Sequence, residues 1–185
     1  MLVLHHDVTS PASALAVARL QLLADQGVPV RFNGIDVLGL DATLPVTHDV
    51  LAELERLAPR AAELGVVLRR PSRRPPTAGV HLLADLADRV DLGAAWRTTA
   101  YAAYWGADAD LGDHAVLAAL ADEAGLDPDA ATALLADRGA LAAVRRRAGA
   151  LRGDGVGGVP VLEAHGMLLP ADLPDDDLRE LAGSM

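Results

Sequence analysis

His6-Asp7-Val8-Thr9-Ser10-Pro11-Ala12-Ser13 decides the reading of this chain. A short apolar run, Leu2-Val3-Leu4, enters it, and an Ala/Leu-rich stretch leaves it. Ser10 suits an N-cap, because its hydroxyl can accept a hydrogen bond from an orphan amide of the first helical turn. Pro11 suits the first helical position, where its fixed φ helps and its missing N–H costs nothing. The sequence therefore places Ser10 at a strand-to-helix junction, beside unpaired amides and the positive end of a helix dipole.

Working outward, Leu2-Val3-Leu4 reads as a strand buried on both faces. His5, His6 and Asp7 have ligand chemistry, but neighbours on a strand point to opposite faces, so His5 and His6 do not share one ion. A helix is expected over Pro11–Gln26, with a stripe of Leu15, Ala18, Leu22 and Leu23 and a stop at Gly27. Val28 to Ile35 reads as a second strand, which gives a right-handed βαβ unit if the strands are parallel.

From about residue 42 to 151 the periodicity is helical. Val50, Leu54, Leu57, Ala61 and Leu64 share one face, and Pro59 is expected to break or kink that run. Arg69, Arg70, Arg73 and Arg74 fall in a proline-rich loop. Such a loop either holds a carboxylate or phosphate bidentately or is simply solvated. His81 either faces a cleft or is satisfied inside a helix. Tyr101, Tyr104 and Trp105 lie on one helical face and are expected to pack the helical part onto the rest. Asp113 and Asp127-Pro128 read as helix starts and Gly125 as a stop. Arg145-Arg146-Arg147 reads as a solvated face. Val161–Glu163 and Met167–Leu169 around His165-Gly166 read as a hairpin, and Pro174-Asp175-Asp176-Asp177 as the start of a last helix.

Composition narrows the function. The 185 residues include no cysteine and 51% hydrophobics, with 3% aromatics, so helices are expected to supply most of the fold. Without a thiolate there is no disulfide exchange, disulfide framework or thiolate metal site. A net charge of −10 argues against a general nucleic-acid or anionic-membrane binder. No apolar run approaches a membrane span and no signal peptide is visible, so a cytoplasmic location is expected.

Several of these stretches together resemble the DsbA-like thioredoxin superfamily. There, Cys-Pro-x-Cys begins the first helix; here Ser10-Pro11-Ala12-Ser13 stands in its place. Kappa-class glutathione transferases and 2-hydroxychromene-2-carboxylate isomerases also carry Ser-Pro-x-Ser. Pro75-Pro76-Thr77 with His81, and Ala109-Asp110-Leu111-Gly112-Asp113, are similar to motifs of the family's helical part. Gly155-Val156-Gly157-Gly158-Val159-Pro160 resembles its Gly-Val-x-Gly-Val-Pro signature. The resemblance implies a single α/β domain over 1–185, with a thioredoxin part at 1–41 and 152–185 and an all-helical insertion at 42–151. It implies a cis Val159–Pro160 bond facing Ser10 and a Val159 backbone that pairs with a peptide-like ligand.

Two functions stay open. In one, glutathione is the cofactor of a transferase or isomerase, no metal takes part, Ser10 is catalytic, and Ser13, Val159, Pro160 and His81 contact the ligand. In the other, a DsbA-like protein without redox chemistry is a binding or partner protein. Against the first stands Leu169–Pro174, where kappa-class enzymes have a Ser/Gly-Asp-Arg segment gripping the γ-glutamyl end. A serine-hydrolase reading ranks third, since no His/Asp pair stands at a recognisable spacing from Ser10.

Overall fold

The computed structural model describes residues 1–183. Its chain runs β1 (Leu2–His6), α1 (Pro11–Asp25), β2 (Val30–Gly34), then six helices: α2 (His48–Glu63), α3 (Ala78–Arg89), α4 (Gly93–Ala107), α5 (His114–Glu123), α6 (Pro128–Ala136) and α7 (Arg138–Gly153). It closes with the hairpin β3 (Val161–Ala164) and β4 (Met167–Pro170) and with α8 (Asp175–Gly183). The four strands form one mixed sheet in the order β2-β1-β3-β4.

β1 is one of the two interior strands of this sheet, and all five of its residues are buried. It pairs parallel to β2, Leu2 opposite Val30, and antiparallel to β3, Leu4 opposite Leu162. Burial of both faces explains why the strand reads as a continuous apolar run. It also carries the strand two residues beyond Leu4, because His5 and His6 stay in register with Asn33 and Gly34. The two histidines do face opposite ways. His5 Nε2 meets Glu163 at 3.1 Å, whereas His6 Nδ1 shares a 2.9 Å hydrogen bond with the Tyr101 hydroxyl.

Two large apolar cores hold most of the fold. Leu2, Leu4, Val17, Leu20, Leu23, Leu162 and Leu178 join the sheet to α1 and α8. Trp96, Tyr104, Trp105, Leu83, Leu111, Leu117 and Leu135 fill the interior between the helices of the insertion. Tyr101 packs against both. The Trp105 indole donates to the Val8 carbonyl at 2.8 Å, tying α4 to the loop after β1. The aromatic face of α4 thus joins the helical part to the sheet.

Local signals set the element ends. Asp113 and Asp127 cap α5 and α6 with their carboxylates, and His165 and Gly166, at φ 53° and 74°, make the tight hairpin turn between β3 and β4.

Two expectations fail, and of the break or kink expected at Pro59 the break does not occur. α2 continues through Pro59, which is exposed, so water can take the carbonyl that the missing N–H leaves free. Leu22 is 54% exposed, because α1 is apolar on most sides and buries Leu20 and Leu23 instead. Arg145 and Arg147 are not merely solvated. Arg145 Nη2 lies 2.8 Å from Asp41 and Arg147 Nη1 2.8 Å from Asp85, which pins α7 to the loop after β2 and to α3. Only Arg146 of the three is exposed.

Candidate functional site

The site is built where α1 begins. Ser10 is extended, at φ −93° and ψ 121°, and its Oγ accepts the Ser13 amide at 3.2 Å. Pro11 occupies the first helical position. Across from it the loop before β3 brings Val159 close, and the Ser10 hydroxyl lies 3.5 Å from the Val159 carbonyl oxygen. The Val159–Pro160 peptide bond is cis.

Two cavities flank this corner. One, of about 240 Å³, is lined by Ser10, Pro11, Thr9, Val159, Glu53 and Arg74, among others. The other, of about 530 Å³, is lined by Ala12, Leu15, Arg19, Arg56, Arg60 and Pro160, among others. Ser10, Val159 and Pro160 therefore come together at an accessible notch. Ser13 and His81 do not. Ser13 is fully buried, and its Oγ accepts the Asp7 amide at 3.3 Å. His81 is 1% exposed and lines neither cavity.

Beneath the notch lies a buried polar cluster that sequence reasoning missed. Asp7 Oδ1 accepts the Thr9 amide at 3.1 Å, and Oδ2 accepts the Val37 amide at 3.0 Å and the Thr77 hydroxyl at 3.3 Å. The same hydroxyl stands 3.5 Å from Asp36. His81 Nε2 lies 3.7 Å from Asp7 Oδ1, too far for a hydrogen bond, and neither ring nitrogen has a hydrogen-bond partner among the described residues. A usable signal did exist. β1 and β2 are parallel, and each is followed within two residues by an aspartate, Asp7 and Asp36, at the carboxyl end where open α/β sheets gather polar groups.

The electrostatics follow from this packing. Burial works to raise the Asp7 carboxyl, but His81 beside it and the amides of Val37 and Thr9 outweigh burial and hold it below its ordinary value. Asp36 is raised, chiefly by burial and further by the Asp7 charge, although the Gly39 amide opposes this. Burial pushes the His6 imidazole well below its ordinary value, and His81 and Arg97 add to the push. No cluster of three or more His, Asp and Glu side chains among the described residues is placed to hold a metal ion.

A family model described as a DSBA-like thioredoxin domain matches residues 1–182. The chain belongs to the DsbA-like thioredoxin family. Its α/β fold is that of a DsbA-type thioredoxin domain, with four strands and eight helices among the described residues. No curated protein matches the sequence. Among solved structures, a probable DsbA oxidoreductase from Streptomyces coelicolor superposes with a TM-score of 0.82 at 20% identity, over 99% of this chain and 88% of that one. A 2-hydroxychromene-2-carboxylate isomerase gives 0.74 at 23% identity, over 99% and 93%. The cytosolic disulfide reductase DsbM from Pseudomonas aeruginosa, solved with GSH, gives 0.67 at 21% identity, over 99% and 97%. At these identities the likeness speaks for the fold. This DsbA-like chain has no cysteine. No helix among the described residues is long and apolar enough to cross a membrane.

Proposed function

We propose that this DsbA-like protein binds a small peptide-like thiol of the glutathione type at Ser10 and acts as a glutathione-dependent isomerase or transferase, without disulfide exchange of its own. The observation that supports it is the position of the Ser10 hydroxyl. It sits at the N-terminus of α1, at the lip of a cavity, opposite the Val159 backbone. A ligand sulfur beside that hydroxyl would meet the positive end of the helix, which favours thiolate over thiol. The hydroxyl would donate to the sulfur, and its present contact with Val159, at 3.5 Å, is weak enough to give up. Relatives of the same fold include an isomerase and a reductase solved with GSH, which agrees with this reading.

A specific observation favours a second reading, a binding or partner protein without catalysis. Leu173 and Asp175, beside the missing Ser/Gly-Asp-Arg segment, are engaged by the Arg19 side chain, so this stretch offers no evident grip for a γ-glutamyl group.

Titration calorimetry with glutathione at millimolar concentration tests the first reading. Binding is expected to the unmutated protein and to be lost in Ser10→Gly, which keeps the cap to within a few tenths of a kcal/mol while deleting the hydroxyl. No heat with the unmutated protein overturns the glutathione reading and leaves the second. Binding without any thiol-dependent turnover also selects the second.

A further inference from the structure

The loop between α2 and α3 carries Arg69, Arg70, Arg73 and Arg74, and the structure gives them different tasks. Arg69 and Arg70 are exposed. Arg73 Nη1 bonds Asp110 at 3.0 Å. Arg74 is held by its backbone, which exchanges two hydrogen bonds of 2.8 Å with Leu44. Its side chain lines the smaller cavity together with Ser10 and Val159.

The other charges of that lining are engaged. Asp7 has its oxygens filled by Thr9, Val37 and Thr77. Glu53 pairs with Arg56 at 3.7 Å. Arg74 makes no ion pair among the described residues, and its Nε is shut off from solvent without a hydrogen-bond partner. A guanidinium partly withdrawn from water and left unpaired is costly, and a carboxylate meets its fork with two parallel hydrogen bonds. The Leu44 bridge fixes the base of the side chain, so less freedom is lost when a ligand docks.

We infer that Arg74 reads a carboxylate of the ligand held at Ser10, which makes the ligand class an acidic peptide-like thiol. This rests on the reading of Ser10 as a thiol-binding residue and assigns that cavity's specificity to a residue of the helical insertion.

Calorimetry on the full chain tests the assignment with four probes. They are glutathione, its glycine ethyl ester, 4-aminobutyryl-cysteinyl-glycine, which lacks the other carboxylate, and γ-glutamyl-seryl-glycine, which lacks the thiol. The unmutated protein is expected to lose about tenfold or more in affinity for one of the two probes lacking a carboxylate. Arg74→Gln is expected to bind that probe and glutathione equally, and Arg74→Lys to recover part of the preference. Thermal unfolding of both variants establishes that they are folded. If glutathione binding needs Ser10 but Arg74→Gln leaves it unchanged, the Arg74 assignment falls alone. If the seryl tripeptide binds as well as glutathione and Arg74→Gln weakens both, the thiol reading falls and Arg74 stands. If none of the tripeptides binds, both fall.

Discussion

Gly34→Ala is the most direct test of the buried cluster under Ser10. A methyl group at Gly34 would fall 2.1 Å from His81 Nδ1, 2.6 Å from Cγ and 2.9 Å from Cε1, so it meets the face of a ring and not a flexible tip. The ring has nowhere to go. It is 1% exposed, the His6 ring packs edge-on with centroids 5.8 Å apart, and Asp7 stands 3.7 Å away. The strand cannot yield easily either, since Gly34 is in register with His6 and its carbonyl accepts Arg147 Nη2 at 3.4 Å. Overpacking costs about 1–3 kcal/mol in general. With both partners fixed, the upper part of that range, about 2–3 kcal/mol, applies here. At roughly 2–4 °C per kcal/mol for a chain of this size, the unfolding midpoint should fall by about 4–12 °C. Thermal unfolding followed by far-UV circular dichroism measures it. His81→Ala removes the obstacle, so Gly34→Ala should cost little in that background, leaving a coupling of about 2–3 kcal/mol. A midpoint that moves by less than about 1 °C, or a double variant whose losses simply add, would refute the reasoning.

Other outcomes follow from the same geometry. Because the folded chain holds His6 neutral, with its pKa below the unfolded value of 6.5, stability is full above that pH and declines as pH falls below it. Asp36, raised by burial, works the opposite way, so the deciding comparison is with His6→Gln, whose midpoint should vary less between roughly pH 7 and 5. Trp105→Phe deletes the donor to Val8 and leaves a buried carbonyl unpaired, which should cost about 1–3 kcal/mol in urea denaturation. An unchanged midpoint there would mean that the indole contact does not join α4 to the site loop. The purified protein should reduce insulin no faster than dithiothreitol alone, since the chain offers no thiolate to attack a disulfide; turnover above that background would contradict this.

What could be read from the sequence was mostly what is local. Ser10 with Pro11, Asp127 with Pro128 and His165 with Gly166 each state their conformation within two residues, because caps and turns depend on adjacent chemistry. The α1 stripe was less legible, since a helix apolar on most sides does not name which leucine faces out, and Leu22 does. Pro59 does not end α2, since it and Glu55, whose carbonyl its missing N–H leaves free, are both exposed residues that water can reach. The arginines of α7 and the cluster of Asp7, Asp36, Thr77 and His81 were illegible for a different reason. Their partners lie on separate elements, and Thr77 meets Asp7 across 70 residues of sequence. For the same reason Arg74 could be placed beside Ser10 only once the insertion was folded against the sheet.

The interior position of β1 fixes when the notch comes into being. β1 enters the chain first, but one of its two neighbours, β3, enters after the whole helical insertion, and Ser10 meets Val159 across 149 residues. During synthesis β1, α1 and β2 wait with one edge of β1 unpaired and the apolar side chains of Leu2 and Leu4 still short of their cover from Leu162. Contacts so distant in sequence close late and slowly. The core of the helical part takes in Val8 and Ala14 but no residue of β3, so its side chains do not wait for the hairpin. A nascent chain stopped short of Val159 therefore has its serine and its helix cap, but no site.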